Sequence, residues 1–382
     1  MMKDEIYRTR LKTAMVIDTY DDSKNGAVIS TKRFVNLLKE HLDVSVITTG
    51  DPAPGKILLP QFYPIGFKKV MKRMRTPLAV PAPWILRNAI KNQDIIHVQF
   101  PFLLGINSVK IANKLRIPVV STFHIQAEHL AMNAGIRSDR FISYCYKFWI
   151  KNLYNRSDVV ICPSKFAEDE LRSYGLTART IVLSNGILSI FKPLVIDRDA
   201  SLKNKFIILS VGRFAPEKRH DLIIKAVSQS KYREKIQLLL IGEGPIKEKL
   251  EEEGKILPNL PIFLTLSQEE LVNYYNMGDL YVHAATVEVE CMTALEAMGC
   301  GLPLLISDSK KSATKQFALD NRSLFAADKV DDLAEKIDYW IEHPVELNAV
   351  GTLYYEYSKQ FRIENSIERL VELYNSLTFD CQ

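Results

Sequence analysis

The chain has 382 residues, 47% of them apolar and 25% charged, a composition that excludes a disordered chain and leaves apolar surface for two cores. The longest uncharged run, Ile95 to Val109, contains His97 and Asn107 and falls short of a membrane-spanning helix. The net charge of +5 hides an asymmetry: residues 1–190 carry 27 Lys and Arg against 15 Asp and Glu, and the remainder 23 against 30, so the two halves suit different partners and the basic half an anionic surface.

The opening stretch MMKDEIYRTRLK has no apolar signal region, which points to an intracellular protein without a spanning anchor. Five scattered cysteines (Cys145, Cys162, Cys291, Cys300, Cys381) include no CxxC pair, which fits a reducing compartment and no structural zinc.

Short apolar runs alternate with amphipathic patterns along the chain. Ala14–Ile17, Val44–Thr48, Ile95–Val98, Val119–Thr122 and Val159–Cys162 read as buried strands, with helical stretches such as Ser30–His41 and Ser108–Leu115 between them. The scheme repeats with strands Phe206–Val211, Gln237–Ile241, Leu280–Ala284 and Leu304–Ser307 and helices Leu222–Ser230, Ile246–Glu253, Gln268–Tyr275 and Val330–Glu342. Strand–helix alternation twice over predicts an α/β protein of two Rossmann-like, doubly wound domains with parallel sheets. The expected division is residues 1–188, 189–360, and a final helical segment 361–382 that crosses back to the first domain. Such sheets bind ligands at the carboxyl ends of their strands, and two facing edges would form a cleft.

Three segments of the second half sit where ligands bind. In Val287–Pro303, VEVECMTALEAMGCGLP, a strand leads into a loop carrying Glu288, and a helix begins near Met292 with Glu296 one turn in. The free N–H groups of Cys291, Met292 and Thr293 would then face an anion. Ser210–Lys218, SVGRFAPEK, carries Arg213 and Lys218 out of a strand end, where two cations can neutralise a pyrophosphate. IGEGP places Gly242 and Gly244 after the next strand, which permits close backbone approach. Taken singly, each has a plain alternative: a solvated glutamate pair, surface cations, a simple turn.

Together, GRFAPEK, IGEGP, LYVHAATVE and the Glu288–Glu296 pair in EVECMTALEAMGCGLP resemble retaining glycosyltransferase family 4, with its two-domain GT-B fold. Asn25-Gly26, PVVSTFHIQAEH, VVICPSKFAEDEL and SNGI extend the resemblance over nearly the whole chain. It implies that Arg213 and Lys218 hold the donor pyrophosphate, Glu296 the ribose, and Glu288 the transferred sugar. It gives His124 an approach to that sugar from the other domain, and has Gly26 let the first loop close over the donor phosphates. Gly242, Cys291, Met292 and Thr293 complete the expected donor-binding set. Val289, Glu290 and Cys291 stand where the family commonly has glycines and an aromatic.

No metal is expected. His124 and His129 do not share a helix face, His97 reads as a core histidine, and Asp197-Arg198-Asp199 reads as a solvated linker turn. From Pro52 to Gln93 there is no acid but eight Lys or Arg. Within that span Ile65–Arg75, IGFKKVMKRMR, places Phe67, Val70, Met71 and Met74 at helical spacing among five cations. This predicts a basic amphipathic helix at an anionic membrane surface; packing on its own sheet is the alternative. No nucleic-acid motif is present.

In the FHIQAEH and VEVECMTALEAMGCG stretches and the placement of the basic helix, the sequence resembles bacterial lipid glycosyltransferases of this family, particularly diacylglycerol glucosyltransferases. The resemblance implies transfer of a hexose, glucose, from a UDP-sugar to the hydroxyl of a lipid acceptor, diacylglycerol, by a cytoplasmic protein peripheral on the inner face of the cell membrane. A family 4 transferase with a soluble or polymeric acceptor, and a silent nucleotide-sugar-binding protein, also fit. Base, sugar, acceptor and oligomeric state are not set by the residues themselves.

Overall fold

In the computed structural model, which describes residues 10–21, 25–63, 68 and 77–379, the chain divides into two units. The first comprises Met1–Leu183 and Ser366–Gln382, the second Ser184–Asn365. The expected divisions lie a few residues away, for a local reason. Ile187 N–H donates to the Phe361 carbonyl (2.8 Å) and its carbonyl accepts from Ile363 N–H (3.1 Å). Asn185 donates through its backbone and side-chain nitrogens to Glu290 (2.8 and 2.7 Å). These bonds tie the linker to the second unit.

The first unit holds β1 (Lys12–Val16), β2 (Asp43–Thr48), β3 (Lys56–Leu58), β4 (Gln61–Phe62), β5 (Leu78–Ala79), β6 (Ile95–Val98), β7 (Val119–Thr122), β8 (Val159–Cys162) and β9 (Thr180–Val182). Its helices are α1 (Gly26–Leu38), α2 (Pro83–Ile90), α3 (Leu103–Leu115), α4 (Ala127–Ala134), α5 (Asp139–Asn152) and α6 (Lys165–Ser173). Seven strands pair in the order β3-β2-β1-β6-β7-β8-β9, all parallel. Burial of β6, β7 and β8 at every position explains their unbroken apolar reading, since helices cover both faces of such sheets. Ser138 and Ser164 start α5 and α6 by accepting from the N–H groups of Phe141 (3.3 Å) and Ala167 (3.1 Å), as N-caps do. The predicted basic helix Ile65–Arg75 lies, save for Lys68, outside the described residues.

The second unit holds β10 (Phe206–Val211), β11 (Ile236–Ile241), β12 (Ile262–Leu264), β13 (Leu280–His283), β14 (Val287–Glu288), β15 (Leu304–Ser307), β16 (Lys311–Ser312) and β17 (Leu324–Phe325). Its helices are α7 (His220–Gln229), α8 (Lys247–Gly254), α9 (Gln268–Met277), α10 (Met292–Gly299), α11 (Val330–Glu342) and α12 (Pro344–Ser358). The main sheet runs β12-β11-β10-β13-β15-β17, again parallel, and β14 pairs with β16. A capping box at Ser267 and Glu270 opens α9. The last helix, α13 (Ile363–Phe379), begins in the second unit and belongs to the first from Ser366 onward. No described helix is long and apolar enough to cross a membrane.

In both sheets the strand order reverses beside the first strand of the unit. Neighbouring loops there leave in opposite directions and open a crevice at the carboxyl edge, the position at which doubly wound sheets take their ligands. In the second unit that point lies between β10 and β13, so the loops after these two strands line it.

Candidate active site

The loop after β10 carries Arg213 and ends in a short turn, Pro216–Lys218. The strand β13 ends at His283, and the chain continues through Ala284–Thr286 to Glu288. These loops bring Lys218 and Glu288 together in an ion pair with both side chains largely buried. His283 Nε2 lies 3.3 Å from the same Glu288 oxygen. Burial alone would raise the Glu288 carboxyl, but the Lys218 ammonium and the His283 ring hold it down at about 2. The Lys218 ammonium rises against the opposing effect of burial, chiefly because of Glu288. Burial likewise opposes the His283 cation, yet Cys291 and Glu288 bring the ring up to about 9. The cluster is therefore charged at neutral pH and largely compensated from within.

Cys291 is the N-cap residue of α10 but makes no side-chain cap bond to that helix. The first-turn N–H groups, which have no partner inside a helix, thus belong to the same mouth as Lys218 and Glu288. Thr293 is set by Tyr281, whose hydroxyl lies 2.7 Å from Thr293 Oγ1, and by Tyr275, whose hydroxyl donates to the Thr293 carbonyl (3.1 Å). The Tyr275 hydroxyl also lies 3.4 Å from Glu296, which is buried one turn into α10. Met292 is partly exposed at the start of that helix.

Gly242 and Gly244 are held to glycine by local backbone packing. A Cβ on Gly242, whose φ is +146°, would stand 2.0 Å from the Gly212 carbonyl oxygen, and one on Gly244 would stand 2.2 Å from the Phe214 carbonyl oxygen. The loop after β11 packs backbone to backbone on the loop that carries Arg213, and Phe214 N–H donates to the Glu243 carbonyl (2.8 Å). At Gly242, then, protein backbone packs against the side that a Cβ would fill.

His283, Glu288 and Cys291 also offer three metal-ligand atoms within 4.8 Å of one another, a group that inspection of spacing did not single out. The fit is poor. Cys291 Sγ stands 3.5 and 3.4 Å from the two nitrogens of His283, almost equidistant, whereas a metal shared with either nitrogen would lie along that nitrogen's lone pair, on one side of the ring. The Lys218 ammonium already compensates Glu288. Asp197 and Asp199 are exposed, and the Arg198 between them is turned to Asp279 (2.7 Å).

The residues at the departure from the family pattern turn inward. Val289, Glu290 and Cys291 are all buried. Glu290 receives the two Asn185 bonds, and burial pushes its carboxyl up to about 7.

In the first unit the switch point lies between β1 and β6. His124 follows β7, and its Nε2 lies 2.8 Å from Gln99 Oε1. Only Nε2–H can donate to that oxygen, so Nδ1 is left as the ring's acceptor. Burial lowers His124 to about 4 and His97 to about 3, so both rings are neutral at pH 7. His97 is bonded at both nitrogens, to Tyr374 and to Thr122, each at 2.6 Å. Gly26 opens α1 with nothing within 4 Å of where a Cβ would stand, and Asn25 caps the helix by accepting from Ala27 N–H (3.0 Å). Asp18, just past β1, was not foreseen. One carboxylate oxygen accepts from Ala79 N–H (3.1 Å), the other is buried without a partner among the described residues, and burial pushes the group up to about 7.

Two parallel Rossmann-like sheets, the second with a cation–carboxylate cluster at its switch point and a helix N-terminus beside it, fit the GT-B fold of glycosyltransferases. The chain belongs to glycosyltransferase family 4: residues 24–187 match the model described as Glycosyltransferase Family 4, and residues 195–355 the model described as Glycosyl transferases group 1. It is 30% identical over 230 residues to alpha-monoglucosyldiacylglycerol synthase of Streptococcus pneumoniae, a match covering 56% of this chain and 51% of that protein, so the chain spans about half of that relative's length. It is 28% identical over 317 residues to a GDP-mannose-dependent alpha-mannosyltransferase of Corynebacterium glutamicum, covering 77% of this chain and 72% of that one. Among solved structures, Anabaena HepE in complex with UDP-glucose superposes with a TM-score of 0.74 at 16% identity, over 96% of this chain and 100% of that one. That likeness concerns the fold.

Proposed function

We propose that the protein moves a hexose, glucose, from a UDP-sugar to the hydroxyl of a membrane lipid, diacylglycerol, with retention of anomeric configuration, on the inner face of the cell membrane. The observation that carries the transfer chemistry is the buried Lys218–Glu288 pair at the β10/β13 switch point, beside the uncapped start of α10. An anionic diphosphate seated there would meet Lys218, Arg213 and the first N–H groups of α10. Donor binding would draw Lys218 from Glu288 to phosphate and leave the carboxylate to accept from sugar hydroxyls. Glu296, one turn further, is given the ribose.

In the reaction proposed, the bond from the anomeric carbon to the diphosphate breaks and the lipid hydroxyl oxygen bonds to the same face of that carbon. The hydroxyl proton passes to the departing diphosphate oxygen. Fixed positive groups aimed at the leaving diphosphate lower the barrier. Neutral His124, with Nε2 tied to Gln99, is assigned to the transferred sugar as an uncharged hydrogen-bonding group. No metal is assigned. The lipid acceptor draws on the diacylglycerol glycosylation named for the pneumococcal relative and on the basic Ile65–Arg75 stretch.

The test is incubation of the purified protein with a panel of radiolabelled nucleotide sugars and anionic vesicles containing diacylglycerol. Label from UDP-glucose in the organic phase is the expected result. Label reaching only water-soluble acceptors would replace the lipid reading, and absence of any donor binding would point to a silent relative.

A further inference from the structure

Helix α5 carries an exposed face with an unusual composition. Arg140, Tyr144, Lys147, Phe148 and Lys151 are all exposed, and their spacing places them on one arc of about 100° of the helix. Tyr144 is 65% and Phe148 40% exposed, and their rings stack with centroids 6.1 Å apart at an interplanar angle of 23°. Among the described residues, the three cations take part in no ion pair. The helix's one acid, Asp139, lies off this arc. The opposite side (Ile142, Cys145, Tyr146, Trp149, Ile150) is buried, so the exposed face is presented on a firmly seated helix.

Nothing in the folding of the unit calls for two large rings at these solvent-facing positions, and a merely solvated face would carry acids as well as bases. We infer that this face of α5 docks on an anionic lipid bilayer. The cations would meet headgroup phosphates while the rings enter the interfacial layer that tyrosines and other aromatics favour, with the lysine stems lying along the apolar boundary. Nucleic acid fits less well, because the two rings stack on each other instead of standing apart as platforms for bases. The inference deepens the lipid-acceptor reading and rests on it for the identity of the surface. It concerns residues distinct from the Ile65–Arg75 stretch.

The experiment is flotation of the full chain with vesicles of phosphatidylcholine alone and of phosphatidylcholine mixed equally with phosphatidylglycerol. The wild type is expected to float only with the mixed vesicles. Lys147→Glu/Lys151→Glu should weaken that binding about tenfold or more, and Tyr144→Ser/Phe148→Ser by about tenfold at unchanged charge. All four positions are exposed, so thermal melting should match the wild type. Variants that float as the wild type does would overturn the inference, as would failure of the wild type to bind mixed vesicles. Loss of affinity for a single-stranded oligonucleotide, with vesicle binding intact, would assign the face to nucleic acid. Glycosylation of detergent-dispersed diacylglycerol, which needs no bilayer, separates the two readings: activity retained by both α5 variants leaves the acceptor assignment standing whatever flotation shows, and its absence in the wild type counts against that assignment alone.

Discussion

The two sheets repeat one strand order but differ in the charge they carry at the switch point. Beside β10 and β13, Glu288 is held at about 2, His283 is raised to about 9 and the Lys218 ammonium is stabilised. Beside β1 and β6, His97 and His124 are neutral and Asp18 titrates near 7. Burial is close to complete at both edges, so depth does not account for the contrast. In the second unit each charge has an opposite partner within reach, and mutual attraction outweighs desolvation; in the first, no cation among the described residues faces Asp18, and the histidines face amides and hydroxyls. One scaffold thus yields one edge of mutually compensated charges and one edge of neutral groups.

The largest test of this contrast removes a charge from the compensated cluster. Lys218→Ala leaves Glu288 buried without its ammonium and should lower kcat/KM for sugar transfer about a thousandfold, with donor binding weakened as well. Steady-state kinetics within threefold of the wild type would show that the pair has no part in the reaction.

Asp18 tests the uncompensated edge through pH. Its folded value of about 7 lies above the unfolded 3.8, so the folded state holds the proton more tightly. The contribution to stability is full below pH 4, is lost as pH rises toward 7, and is flat above. The loss amounts to about 4 kcal/mol over that window. Asp18→Asn should flatten the decline of Tm between pH 4 and 8, and an unchanged slope would mean that Asp18 is ionised in the fold at neutral pH.

Gly242→Ala separates architecture from charge, since its Cβ meets the Gly212 carbonyl and no titratable group changes. The strain should cost about 2 kcal/mol, read in thermal melting, and weaken UDP binding by displacing the Arg213 loop. Wild-type UDP affinity in a destabilised variant would break the link between those two loops. The smallest effect is expected at His124. His124→Asn removes the ring and should lower kcat by up to about tenfold, the worth of one neutral hydrogen bond, while UDP affinity stays as it is; a shift in UDP affinity instead would place His124 with the nucleotide.

Legibility in the sequence followed the same divide. The parallel strands could be read because both faces are covered, giving apolar runs such as Val159–Cys162 and Phe206–Val211. The helix start near Met292 was readable because a strand, a polar loop and a small-residue helix follow in sequence. Lys218 and Glu288 could each be marked, but their pairing across 70 positions is a product of strand order, which no local pattern reports. His283 was hidden at the end of the strand LYVHA, and Asp18 in an ordinary strand-to-helix loop. Their unusual titration comes from burial and from which neighbours the fold supplies. At Gly242 the close backbone approach that glycine permits is made, on the side a Cβ would occupy, by the Gly212 carbonyl. Helix α5 escaped notice because its exposed face carries aromatics, which blurs the polar–apolar alternation that marks a surface helix.

The final helix bears on how the chain folds as it is made. Tyr374, near the end of α13, is fully buried and bonded to His97 of the first sheet, and the first unit includes residues from Ser366 onward. Domains ordinarily complete themselves in the order of synthesis, the N-terminal one first. Here the unit that leaves the ribosome first lacks its closing piece until every residue of the second has been translated, so the second unit can reach its native state earlier than the first.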